Sequence, residues 1–295
     1  MPDSIQQTLV ALTATVLAPL PLSQARWSGR VLGRLSSRSR ARIVRTTRRN
    51  LELCRIPGSP DERICTARRS LEETGALLME MGLVWRAPVH RALARVTRIR
   101  GLALLESALE AGQGVLVLSP HLGNWELLNL WLASRAPLTA LYQPLRDPAL
   151  DAWVRRARER AGARLVPTDA SGLRALLQAL RTGGMAGILP DQVPPRGAGR
   201  HASFFGRPAL TMTLVQRLLR STGAEPLMAT ALRVPDGFEL HFDRPVGGLD
   251  DADPRRAARA LNASVEQCIA LAPAQYQWSY KRFKHPPPGS ADPYA

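Results

Sequence analysis

Residues 118–126 read LSPHLGNWE: an apolar run stops at Pro120, an imidazole follows at His121, and a carboxylate arrives five positions later at Glu126. A carboxylate bonded to one imidazole nitrogen fixes the tautomer and leaves the other nitrogen to accept a proton, so the pair suits a general base. Two such groups match neither HExxH nor a His/Cys cluster, and no metal site is expected. Each residue also has an ordinary structural reading. A histidine can simply join a strand to a helix, and a glutamate in a first helical turn offsets the helix dipole.

The flanking segments must place the pair. GVLVLS (114–119) is of strand length and apolar throughout, whereas NWELLNLWLAS (124–134) is helical in character. LTALYQ (138–143), ARLVPT (163–168) and MAGILPD (185–191) read as strands. They alternate with helices over DAWVRRARERAG (151–162) and SGLRALLQALRTG (171–183), the latter capped by Asp169 or Ser171. Such alternation, with strands apolar on both faces, predicts an α/β fold with a mostly parallel sheet flanked by helices. PLMATALRV (226–234) and FELHFDRPV (238–246) flank a PDG turn and predict an antiparallel extension. Helices are expected over 62–84 and 254–271, and FFGRPALT (204–211) reads as a loop. In open sheets of this class ligands bind beyond the carboxyl ends of the strands, where His121 stands.

The chain of 295 residues is 45% hydrophobic and carries a net charge of +16, almost all of it arginine, since Lys281 and Lys284 are the only lysines. It can bury a sizeable core and invites an anionic partner. Cys54, Cys65 and Cys268 form no CxxC pair, so neither a disulfide framework nor a zinc ribbon is suggested. The run TLVALTATVLAPLPL (8–22) is uncharged but short and broken by Pro19 and Pro21, whereas a spanning helix needs about 20 apolar residues. Nine arginines, Arg26 to Arg49, follow with no acidic residue between Asp3 and Glu52. Residues 1–50 therefore read as a membrane-associated segment whose basic face meets anionic lipid, ahead of a domain over 51–285 and a loose tail over 286–295. A core helix followed by a solvated basic one is the plainer alternative. A nucleic-acid-binding role is disfavoured, because aromatics are only 5% of the chain and Trp27 stands alone in the basic stretch.

His-x4-Glu after an apolar strand, in a basic chain with such an N-terminus, resembles the His-x4-Asp/Glu acyltransferases. Within them RRNLELC (48–54), SPHLGNWELL (119–128), YQPLRDPALDAW (142–153), RERAGARLVP (158–167), ILPDQVPPRGAGRHASFFGRPALT (188–211) and APAQYQWSYKRFK (272–284) are similar to the late, lauroyl/myristoyl-type lipid A biosynthesis acyltransferases. The match covers nearly the whole chain. It implies a glycerolipid-acyltransferase-like fold and transfer of a fatty acyl chain from acyl carrier protein to a hydroxyl of a lipid A precursor, at the cytoplasmic face of the inner membrane.

By residue, the resemblance implies His121 as the base and Glu126 as its orienting partner. Arg158, Asp191, Gln192 and Asn124 become substrate contacts, with Arg158 on a phosphate or the oxyanion and Asp191 positioning Arg158 or the acceptor. No cofactor is implied, because a thioester needs only a positioned nucleophile and a stabilised oxyanion. Trp125, Leu127, Leu128 and Trp131 are candidates for the acyl groove, and SYKRFK (279–284) suits acidic lipid phosphates. No EGTR-like run occurs, which argues against a glycerolipid acceptor. Gln143 stands where many relatives have a basic residue. Mannosylated phosphatidylinositol, ornithine lipid and lysophospholipid remain alternative acceptors, and a non-enzymatic basic membrane- or nucleic-acid-binding protein is the distant one.

Overall fold

The computed structural model describes residues 12–54, 56 and 59–295. Residues 8–11 of the apolar run lie outside the described residues, and 12–17 are helical. Three helices follow, α1 (Leu22–Ser36), α2 (Arg42–Leu53) and α3 (Pro60–Trp85), then the short α4 (Val89–Leu93). The sheet domain runs β1 (Val96–Arg100), α5 (Leu102–Glu110), β2 (Val115–Leu118), α6 (Trp125–Ala133), β3 (Leu138–Tyr142), α7 (Pro148–Glu159), β4 (Arg164–Pro167), α8 (Ala170–Arg181) and β5 (Met185–Ile188). It continues with β6 (Gly199–Phe204), β7 (Arg207–Met212), α9 (Leu214–Thr222), β8 (Glu225–Val234), β9 (Gly237–Asp243) and α10 (Pro254–Leu271).

Seven strands form one sheet in the order β1-β9-β8-β2-β5-β3-β4. All neighbours from β8 to β4 are parallel, while β9 turns back antiparallel on β8 and takes β1 parallel at the edge. The fold is thus α/β with the expected antiparallel extension. β2 is buried at every position, as its unbroken VLVL requires. Its two faces feed separate cores, Leu116 and Leu118 on one side and Val115 and Val117 on the other.

The N-terminal helices are integral to this body. Gly29 and Gly33 of α1 lie against the backbone of α3: a Cβ on Gly29 would stand 2.3 Å from the Gly75 carbonyl oxygen, and one on Gly33 would stand 2.2 Å from that of Leu71. Alongside run three ion pairs, Arg26–Glu80 at 2.7 Å, Arg30–Glu73 at 2.9 Å and Arg34–Glu72 at 2.8 Å. Three of the nine arginines read as lipid-facing therefore hold helix to helix, and Arg26 is buried outright. The outer side of the segment is different: Leu12, Val16, Trp27, Leu32 and Leu35 are all more than half exposed. Among the described residues no helix is long and apolar enough to cross a membrane.

Three segments depart from the sequence reading. The supposed loop at 204–211 is a hairpin, β6 paired antiparallel with β7, turned by Phe205 (φ 47°) and Gly206 (φ 76°). Two successive left-handed residues match the twist of the flanking strands, a signal hidden because Phe is not a usual residue there. β1 and α5 were not foreseen, since VTRIR at an edge strand is largely exposed and lacks an apolar face. Arg282 of SYKRFK is buried rather than lipid-facing, bonding Leu210 O at 2.6 Å, Thr211 Oγ1 at 2.9 Å and Asn262 Oδ1 at 3.1 Å. In the tail, the Tyr294 hydroxyl donates to Asn50 Oδ1 at 2.5 Å and accepts from Phe283 N at 3.0 Å.

Candidate active site

β2 and β5 are adjacent and in register, Leu118 opposite Ile188. Each runs on through one residue and a proline to a titratable side chain, SPH after β2 and LPD after β5, so His121 and Asp191 emerge together at the carboxyl edge. The Asp191 carboxylate grips the histidine twice: Oδ1 lies 2.8 Å from ring Nδ1 and Oδ2 accepts the His121 backbone N–H at 3.0 Å. On the other side of the ring the Gln192 amide Nε2 stands 3.0 Å from Nε2. These partners assign the tautomer, with Nδ1–H donating to Asp191 and the Nε2 lone pair accepting from Gln192.

Burial works against ionising Asp191, but the adjacent His121 and the hydrogen bonds from its ring and backbone outweigh it and hold the carboxyl below its usual range. Tyr276 packs nearby, its phenol raised well above the ordinary value by burial and by the Asp191 charge. The ring is 15% exposed along its side chain and lies edge-on to Trp125 with centroids 5.0 Å apart. It is enclosed yet reachable.

The orienting hydrogen bond expected from Glu126 is therefore made by Asp191. Glu126 sits in the first turn of α6 and turns its carboxylate to Arg158, whose Nε reaches Oε2 at 2.9 Å and whose Nη2 bonds Oε1, while the Trp85 indole N–H donates at 3.1 Å. Burial opposes the charge of Glu126, and Arg158, Trp85 and then His121 more than restore it, so its carboxyl also titrates below the usual range. The two side chains meet different partners because His121 lies in the loop before α6 and Glu126 in its first turn.

Asn124, expected at the substrate, is fully buried. Its Oδ1 caps α6 by accepting from Leu127 N at 2.9 Å, and its Nδ2 donates to Glu80 Oε2 at 2.8 Å. Leu127, Leu128 and Trp131 likewise belong to the packed core, leaving Trp125 as the candidate that faces the histidine. Glu80, which sequence reading missed, takes Arg26 on Oε1 at 2.7 Å and Arg233 on Oε2 at 2.9 Å; Arg233 in turn donates to Gly123 O at 3.0 Å. This carboxylate ties α1 to the loop behind His121. One glutamate among several in a long helix gives no sign of that.

Within the loop, the N–H groups of Leu122, Gly123 and Asn124 are committed to Pro120 O, Gln275 O and Ala231 O. Among the described residues the backbone N–H groups of Trp125 and Glu126 have no acceptor, as the first turn of a helix leaves them. Such free donors at a helix N-terminus suit a developing anion. No cluster of three metal-ligating side chains occurs among the described residues. The arrangement can thus take a proton at Nε2, stabilise the imidazolium through Asp191, and receive negative charge at the start of α6.

Comparison with known proteins finds several relatives over most of the chain. The lipid A biosynthesis lauroyltransferase of Escherichia coli K12 is 31% identical over 269 residues, covering 89% of this chain and 86% of that protein. The palmitoleoyltransferase of the same organism is 30% identical, covering 84% of this chain and 80% of its own. The myristoyltransferase is 27% identical, covering 90% and 81%. The family described as bacterial lipid A biosynthesis acyltransferase matches residues 1–285. An imidazole with an assigned proton acceptor, a buried counter-charge and free N–H donors thus sit in a chain that belongs to the bacterial lipid A biosynthesis acyltransferase family.

Proposed function

We propose that this protein moves a fatty acyl chain from the thioester of acyl carrier protein to a hydroxyl of a lipid A precursor, with His121 as general base. The observation that carries the reading is the pair of contacts on the ring, Nδ1 2.8 Å from the Asp191 carboxylate and Nε2 3.0 Å from the Gln192 amide, which leave Nε2 as the proton acceptor. The acceptor hydroxyl displaces that amide and gives its proton to Nε2 as its oxygen attacks the thioester carbonyl. The resulting oxyanion faces the Trp125 and Glu126 N–H groups. Collapse breaks the carbon–sulfur bond, and the departing thiolate recovers the proton from the imidazolium.

Asp191, rather than Glu126, orients the ring in this scheme. Glu126 keeps Arg158 in place and adds its field to the imidazolium. The 26% exposed side chain of Arg158 is available to a phosphate or to the anionic intermediate. The exposed apolar residues of α1 and the basic groups beside them suit the cytoplasmic face of the inner membrane, and the net charge of +16 suits an acidic carrier protein as donor.

The test is an assay of purified enzyme with acyl carrier protein thioester and lipid A precursor, read by mass spectrometry of the lipid. His121→Ala is expected to abolish product. Product formed by the variant at the wild-type rate would remove the mechanism, and transfer only to a different acceptor would remove the substrate assignment.

A further inference from the structure

Helices α1, α2 and α3 enclose a cleft of about 240 Å³ whose wall carries Arg34, Arg38, Arg48 and Arg68 beside Ile64. Arg34 is neutralised by Glu72 at 2.8 Å. Arg48 donates one amino group to Ser37 O at 3.0 Å, and among the described residues neither Arg38 nor Arg68 has a carboxylate partner. Three exposed guanidiniums line one recess with no carboxylate partner among the described residues, so an anion entering it meets concentrated positive charge.

The recess is smaller than the roughly 300–1,000 Å³ of sites that take whole organic ligands, so it suits a headgroup-sized anion. Guanidinium forks match the oxygens of a phosphate two at a time, more closely than ammonium groups do. The rim points to the source of that phosphate. Ile64 on the wall is 66% exposed, and Leu35, the neighbour of Arg34 in the last turn of α1, is 57% exposed. A phosphate free in water gains nothing from exposed aliphatic side chains, whereas a bilayer surface offers anion and apolar interior side by side.

We propose that this cleft binds the phosphate of an anionic membrane lipid at a site that shares no residue with the His121 centre. The assignment rests on the bilayer-facing placement proposed above. Phosphate seated between the three helices then fixes how α1 lies on the membrane, with Ile64 and Leu35 entering the interfacial layer.

The test is sedimentation of the full chain with phosphatidylcholine vesicles, with and without phosphatidic acid. Arg38→Gln/Arg68→Gln removes the two guanidiniums that make no bond among the described residues, and Arg255→Gln/Arg259→Gln on α10 makes the same charge change elsewhere. The first double variant is expected to bind phosphatidic acid vesicles about twenty-fivefold more weakly, roughly fivefold per guanidinium, while the second changes less than about threefold. Melting curves matching wild type exclude misfolding as the cause. Equal losses in the two variants, or none in the first, would overturn the site.

Should wild type show no preference for phosphatidic acid, the bilayer-facing placement falls along with the site. A preference kept by Arg38→Gln/Arg68→Gln removes the site alone. Titration with inorganic phosphate is expected to give no saturable heat; saturable binding lost in the first variant, with vesicle binding unchanged, would overturn the lipid as its source.

Discussion

Asp191 holds His121 at two points, ring and backbone, across 70 residues of chain, because the two stand at equal distances past paired ends of neighbouring strands. The grip fixes both the protonation and the direction of the ring. A one-residue change in either overhang would break both bonds together.

Asp191→Asn keeps the size of the side chain but loses the charge that favours an imidazolium, and its amide competes for the wrong tautomer. Acyl transfer is expected to fall by about 10²–10⁴-fold in kcat with little change in KM. Steady-state kinetics check this, and a variant as active as wild type would return the orienting role to another group.

Removing Arg158 leaves Glu126 buried, 4% exposed, without its main counter-charge. Arg158→Ala is expected to destabilise the fold by about 3 kcal/mol, read as a lowered urea midpoint. Arg158→Lys should recover only part of this, since an ammonium cannot reproduce the two-point fork.

The glycine contact between α1 and α3 leaves no room for side chains. Gly29→Leu would drive a side chain into the Gly75 backbone and is expected to cost about 1–3 kcal/mol and to expose the α1 linkers to protease. Limited proteolysis with mass spectrometry reads it directly; an unchanged digestion pattern would show that the pair tolerates separation.

Asp191 and Glu126 both have folded-state pKa values below their unfolded ones. Their contribution to stability is therefore fully present above the unfolded carboxylate values, about pH 4 to 4.5, and is lost as pH falls through the lower folded values. Urea midpoints are expected to hold steady from neutral pH down to about 5 and then decline. Asp191→Asn should shallow that acid limb.

Much of this architecture was written in local patterns. Apolar strands between capped helices gave the parallel sheet, and the α10 boundaries Pro254 and Leu271 agree with the reading. His121 stood out by type and position. Its partner did not, because proximity in sequence favoured Glu126 whereas strand order, a tertiary property, delivers Asp191. The matching ends SPH and LPD were the available signal, since two neighbouring parallel strands with equal extensions present those residues side by side. Asn124 and Arg282 misled for a different reason. Polar side chains at a cap or under a hairpin satisfy backbone groups inside the protein, and nothing in their neighbours separates that from solvent-facing roles.

The placement of Glu80 has a practical corollary for anyone wishing to work with a shortened protein. Its carboxylate is shared by Arg26 from the leading helix and Arg233 from the sheet, all three out of solvent. Deleting residues 1–50 to improve handling would open a hole at the centre of the fold and unseat the turn behind the histidine. Exchanging Trp27, Leu32 and Leu35 for polar residues alters only the outer skin and is the better route to a detergent-free sample.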